Sequence, residues 1–262
     1  MPISVIPVTG LVLGPIGTIS QTDFPLISPR QVNETDTNNI AFGETFVLNP
    51  NNTYSSVKQF LSTNSVAAFL ALLAGTPSCP IGIARDAVET NAFYPLNGGT
   101  NMPAGQYLPG MMVNGLTKGT ISVQINNGTP SGANELAFLR LVTNAAIPAG
   151  VVGGIEGVAD SVSTTATWTS GENTLTVTSA TGVQVGQLVT GPGIPANTAV
   201  TGVAGTTITL SQVTTAAGTA AAVTFANTVQ LTNIVFKTGV LSTDPNTGKS
   251  ASQVTILERK VA

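Results

Sequence analysis

Val185–Gln212 reads VGQLVTGPGIPANTAVTGVAGTTITLSQ. Within it, Gly191-Pro192-Gly193-Ile194-Pro195-Ala196 fits the spacing G-x-G-x-x-G/A, in which glycines let backbone N–H groups approach a pyrophosphate at the start of a helix. A dinucleotide loop here would make the chain an α/β protein, whereas a plain turn would leave it all-β. The surrounding residues favour the turn. Pro195 stands where the helix should begin, and Asn197-Thr-Ala-Val-Thr-Gly202 follows it with poor helix formers. No Asp or Glu occurs between Glu172 and Asp244, so the acid that would hold a ribose is missing as well. The patch therefore reads as a turn between two Val/Thr-rich strands.

Composition narrows the function classes. The 262 residues allow one large β domain or two smaller ones and are ample for a core without disulfides. Cys79 is the only cysteine and there is no histidine, so no intrachain disulfide forms, and Ser-His-Asp or Cys-His catalysis has no imidazole to use. Nine basic against twelve acidic residues give a net charge of −3, which argues against binding through phosphate neutralisation and hence against a nucleic-acid partner. Charged residues make up only 8% of the chain, where about 25% is usual. Such a surface suits extensive burial against neighbours. The longest apolar run, Val66 to Ala74, is far short of the roughly 20 residues of a membrane span. The first residues, MPISVIPVTG, lack the basic and apolar regions of a secretory signal, so synthesis in the cytoplasm is the expectation.

Along the chain, residues 1–40 are punctuated by Pro2, Pro7, Gly14-Pro15, Pro25 and Pro29, the pattern of an extended arm with edge strands. Either a partner surface orders that arm or it folds back on its own barrel. Ser55 to Gly75 is the one helical region. Asn64 or Ser65 is the N-cap of its second half, Gly75 with Pro77 is its stop, and Phe69, Leu70, Leu72 and Leu73 form its core stripe. Elsewhere short strands alternate with turns: Ala41–Leu48, Ile81–Ala84, Gln106–Val113, Gly119–Ile125, a turn at Asn126-Asn127-Gly128, and Glu135–Val142. From Thr164 to Ala226 the sequence becomes Thr, Val, Ala and Gly with the single charge Glu172. Joining Gly157–Ser163 directly to Thr228–Val235 still leaves a plausible β chain, so this stretch reads as an insertion at a loop tip. The expected fold is all-β: a β-barrel or jelly-roll-like base over 41–163 plus 227–262 with one short helix region, an N-terminal arm over 1–40, and an inserted small β-sandwich-like module over 164–226.

Several segments of the base carry a resemblance. Gly82-Ile-Ala-Arg-Asp86, Tyr107-Leu-Pro-Gly-Met-Met-Val113, Gly119-Thr-Ile-Ser-Val123, the segment GTPSGANELAFLRL from Gly128 to Leu141, Val152-Gly-Gly-Ile-Glu-Gly-Val-Ala-Asp160 and the closing run from Val229 to Glu258 stand in an order that resembles the structural cement, or capsid decoration, proteins of tailed bacteriophages. Val185–Val200 and Gly205–Ser211 separately resemble β modules inserted in phage virion proteins. The resemblance implies a non-enzymatic protein of the virion's outer surface that binds the major capsid protein, commonly as a homotrimer. The inserted module is not part of the minimal family pattern.

Candidate sites follow from these readings. Catalytic, cofactor and metal residues are expected to be absent, with no small-molecule ligand, no nucleic acid and no membrane among the partners. The acidic pairs Asp86 with Glu89, Glu156 with Asp160, and Glu34 with Asp36 read as solvated loops or intersubunit contacts. Asp244–Ser250 is expected to be a hairpin turn, since it lacks the remaining acids of a calcium loop. Partner binding is assigned to Ile3, Val5, Ile6 and Val8, whose strand can add to a neighbouring sheet edge. Arg30 and Arg85 are assigned to the same role because a guanidinium pairs bidentately with carboxylates. The rival reading is a tail-fibre or head-fibre adhesin for host carbohydrate. That reading needs an aromatic platform, for which Thr164–Ala226 offers only Trp168 and Phe225.

Overall fold

The computed structural model describes residues 25–75, 81–84, 105–144, 150–240, 242–243 and 250–257. The elements begin with β1 (Leu26–Gln31), β2 (Ile40–Ala41), β3 (Thr45–Leu48) and β4 (Tyr54–Ser56), then helices α1 (Val57–Thr63) and α2 (Val66–Gly75). Next come β5 (Ile81–Ala84), β6 (Gln106–Tyr107), the long β7 (Met112–Asn127), β8 (Leu136–Arg140) and β9 (Ile155–Glu156). β10 (Ser161–Trp168), β11 (Thr174–Val177), β12 (Leu188–Thr190), β13 (Val200–Ala204), β14 (Thr207–Leu210) and β15 (Gly218–Ala226) follow. β16 (Thr228–Phe236), β17 (Ser242–Thr243) and β18 (Ser250–Ile256) come last. The protein is all-β, as its turn-punctuated Val/Thr segments imply.

β7 is the spine of the base. Its C-terminal half pairs antiparallel with β18 and parallel with β9, and β9, β8, β16 and β18 pair in succession, so five strands close into a ring. Closure leaves this ring without open edges. Alternate residues of each strand point inward. The buried Ile121, Val123 and Ile125 of β7 thereby meet Leu139, Ile155, Leu231, Phe236 and Val254 in one core. The N-terminal half of β7 lies between β1 and β5, which continues through β3 to β4. A parallel bridge between Val32 and Tyr54, just past the end of β1, draws β4 back to β1. Among the described residues β1 pairs as a strand with β7 alone; on its other side the Tyr54 hydroxyl donates to the Ser28 carbonyl at 3.1 Å and Arg30 donates to Asn52. Gly115 makes this packing possible, because a Cβ there would stand 2.5 Å from Phe46 and 2.8 Å from Tyr54.

The helical region is two helices. Ser56 caps α1 by accepting the Gln59 N–H, Asn64 ends it in extended backbone, and Ser65 accepts the Ala68 N–H to start α2. Phe69 and Leu70 are buried against the base core. The expected strand over Ala41–Leu48 is interrupted by a turn from Ala41 to Glu44, in which Gly43 takes φ +74°. The Asn127–Gly128 turn stands where the dipeptide indicates, with Gly128 at φ +70°.

Residues from Ser161 to Ala226 form a separate six-stranded sheet in the order β12-β15-β10-β11-β14-β13. A bridge between Leu188 and Ala199, with Val189 N–H donating to the Thr198 carbonyl at 2.8 Å, joins its two outer strands. One rolled sheet thus supplies both walls of the module's core, where Trp168, Leu175, Val189, Ile208 and Phe225 are buried together. The Gly191–Ile194 patch is a turn closed by Ile194 N–H to Gly191 O at 3.2 Å, with Gly193 at φ +67° packed on the Ala216 backbone. No helix follows it. Gly193 has a tertiary role as well, since a Cβ there would lie 2.8 to 2.9 Å from Ala216 atoms.

Candidate binding surfaces and the neck

Entry and exit of the module are adjacent: Ser161 of β10 pairs with Ala226 of β15. Near that pair lies a buried ionic cluster centred on Arg140. Arg140, the last residue of β8, is fully buried and donates through Nε to Glu156 Oε1 and through one terminal nitrogen to Glu156 Oε2 at 3.1 Å and Asp160 Oδ2 at 2.7 Å. Asn126 donates to Glu156 at 2.7 Å, and Asn227 donates to Asp160 at 3.0 Å. Gln187, from the module, donates to Asn227 at 2.6 Å. Burial works against the Arg140 charge, but hydrogen bonds and attraction from Glu156 and Asp160 outweigh it and hold the guanidinium above its ordinary value. The network crosses from base to module, and the apolar contact beside it does the same: Ala199 is part of the base core, and Leu188 packs against it.

This cluster corrects the expectation for Glu156 and Asp160. They do not occupy a solvated loop or an intersubunit contact: Glu156 is fully buried and the Asp160 side chain is 24% exposed. Spacing along the chain could not reveal this, because their cation stands sixteen residues before Glu156 on another strand. The Glu34–Asp36 pair also departs from a plain solvated loop. Glu34 accepts from Gln31 at 2.8 Å, whereas Asp36 turns a buried oxygen inward.

Of the proposed partner-binding residues, Ile3, Val5, Ile6, Val8 and Arg85 lie outside the described residues, as do Cys79, Asp86, Glu89 and the turn at 244–249. Arg30 is on β1. It donates to Asn52 Oδ1, its guanidinium lies 5.9 Å from the Tyr54 ring centroid, and its buried Nε has no partner. Part of its guanidinium is therefore engaged within the base. Leu26 and Met112 are exposed at 58% and 59% near opposite ends of the β1–β7 pairing, leaving apolar area at both ends.

The module's outer face alternates out of step with its core. Ser163, Thr165, Thr167, Thr174 and Thr176 point to solvent, between buried Ala166, Trp168, Leu175 and Val177. Hydroxyls bond one another there, as in Ser163 with Thr224 at 3.2 Å and Thr165 with Thr178 at 3.1 Å. Trp168 is 5% exposed, donates its indole N–H to the Ala216 carbonyl at 2.8 Å, and lies against Gly218. Phe225 is fully buried. With both aromatics inside, the module presents no stacking platform for a sugar.

A cleft of about 280 Å³ lies between the Ala41–Glu44 turn and the Val151–Ile155 segment. Glu44 accepts the Ala41 N–H at 2.7 Å, and burial pushes its carboxyl up to about 6, against the opposing effects of that hydrogen bond and Lys58. Among the described residues Glu44 is the only acid lining this cleft, so they do not form the two-carboxylate arrangement of a glycosidase there. Among the described residues no group of three or more His, Cys, Asp or Glu is placed to hold a metal, and no helix is long and apolar enough to cross a membrane. No protein-family model matches the chain, and no curated protein matches it in sequence.

Proposed function

We propose that this chain is a non-enzymatic capsid decoration, or cement, protein that binds the outer surface of a tailed-phage head as a homotrimer and stabilises contacts between major capsid subunits. The observation that carries this reading is where the few charges go. The Arg140–Glu156–Asp160 cluster lies inside the neck and fastens the module to the base, and the module's outward face is left as uncharged hydroxyls. That combination suits a stiff, well-hydrated projection on a gluing base. The flank of β1 that pairs with no strand among the described residues supports strand addition, in which main-chain hydrogen bonds supply affinity with little demand on sequence. The arm bearing Ile3, Val5, Ile6 and Val8 precedes β1 in the sequence, and arms exchanged between neighbours are the segments this reading assigns to that flank. Repeated copies on a lattice multiply weak single contacts through avidity, and binding to the assembled shell stabilises it by mass action.

The test is loss and restoration. Heads lacking the chain should release packaged DNA at a lower temperature than complete heads, and purified protein added back should restore the higher value. Equal release temperatures would refute the proposal.

A further inference from the structure

Module and base are joined without a break in main-chain hydrogen bonding. The β10–β15 ladder ends at Ser161 paired with Ala226, and the next step continues it, Asn227 N–H donating to the Asp160 carbonyl at 2.9 Å. The Asn227 carbonyl accepts from Leu141 N–H at 2.8 Å, one residue before Thr228 pairs with Arg140 in the base. Asn227 therefore belongs to a module ladder on one side and a base ladder on the other. Its side chain is saturated as well: Nδ2 donates to Asp160 at 3.0 Å, and Oδ1 accepts from Gln187 at 2.6 Å. Gln187 is fully buried and is fixed within its own loop by the Gly182 carbonyl at 2.9 Å and the Gln184 N–H at 2.8 Å. Apolar packing crosses at the same place. Ala199 of the module is part of the base core, and a Cβ on Gly186 would stand 3.3 Å from Val142 and 3.9 Å from Val66, so the loop before β12 lies directly on the base.

An inserted domain on an exposed linker has a small interface with its host, and the two then move and unfold separately. This neck is built differently. Opening it would interrupt the ladders on both sides of Asn227 and leave the buried Gln187 amide and Glu156 and Asp160 carboxylates short of partners, which is costly in a dry interior. We infer that base and module form one cooperative folding unit, coupled through Asn227, so that neither unfolds while the other stays folded. The module is then a stabilising part of the ring and a fixed mount, and whatever is bound or lost in one unit changes the stability of the other. This inference is independent of the capsid reading, because it concerns the purified chain without any shell.

The experiment is native-state hydrogen exchange of the full chain, read at the slowest amides of β7 for the base and of β10 for the module. Leu175 is buried in the module core, away from the neck, and Leu175→Ala opens a cavity there. The expected result is faster exchange by the same factor in both strands, at least about thirtyfold. Faster exchange in β10 with native rates in β7 overturns the proposal. The reverse experiment stands if Leu175→Ala fails to fold: Leu139→Ala in the ring core should quicken β10 as much as β7, and unchanged β10 rates overturn the proposal equally. Asn227→Ala tests the assigned residue. In that background Leu175→Ala should quicken β10 at least about tenfold more than β7, since the side-chain link is gone. Equal acceleration in both strands there would mean that the coupling does not pass through Asn227, and would refute the assignment.

Discussion

Replacing Arg140 with methionine should be among the most damaging single changes at the neck. The substitution keeps most of the side-chain volume but removes the hydrogen bonds to Glu156, to Asp160 and to the Val142 carbonyl at 3.4 Å. Glu156 would stay fully buried with Asn126 as its remaining donor, and Asp160 would keep only its Asn227 and backbone-side contacts. Breaking one partner out of a buried ionic cluster costs about 3–5 kcal/mol, because the orphaned charge is not rehydrated. At ~2–4 °C per kcal/mol for a chain of this size, the melting temperature should fall by about 10 °C, measured by circular dichroism or calorimetry at pH 7. Hydrogen exchange should quicken first at Ser161–Ser163 and Asn227–Val229, where base and module join. The double variant Arg140→Met with Glu156→Gln should recover at least half of the loss, since the orphaned charge is then gone. The reasoning fails if Arg140→Met costs under about 1 kcal/mol, the size of an exposed ion pair, or if the double variant is as unstable as the single.

Other positions give sharp expectations. The Glu44 carboxyl rises from 4.5 to about 6 on folding, so its protonated form favours the folded chain. Its contribution is therefore full below pH 4.5 and is lost as pH rises through 6, a change of up to about 2 kcal/mol; Glu44→Gln should flatten urea-unfolding stability across that window and stabilise the chain at pH 7. Gly115→Ala should cost about 1–3 kcal/mol in denaturant unfolding through overlap with Phe46 and Tyr54, and Phe46→Leu in the same chain should recover part of it. Gly193→Ala and Gly205→Ala both place a side chain at positive φ, but only the first meets backbone, at Ala216; the first should cost clearly more than the ~1 kcal/mol expected of the second. Trp168→Phe should lose about 1 kcal/mol with the Ala216 hydrogen bond, without any change in carbohydrate binding.

Local rules carried the all-β reading a long way. Pro195 after Gly193, with no helix former or ribose acid downstream, sufficed to read Gly191–Ile194 as a turn, because proline and glycine restrict backbone angles whatever surrounds them. Ser65 as a helix cap, Gly75 as a stop and Asn127-Gly128 as a turn are legible for the same reason: each depends on hydrogen bonds or dihedrals within a few residues. The break at Asn64 follows from the same local chemistry, since the polar run Ser62-Thr-Asn-Ser65 separates the two apolar stretches and Ser65 caps the second. What the sequence alone could not decide is everything that depends on ring closure. Residue patterns mark Met112–Asn127 as β, but only the tertiary structure makes it the strand shared between a closed ring and its open neighbour, through partners as distant in sequence as Gly119 and Ile256. The same holds for the charges. Glu156 and Asp160 look like solvated acids along the chain, and they become a buried neck only because β8 delivers Arg140 between them, a placement set by long-range strand pairing.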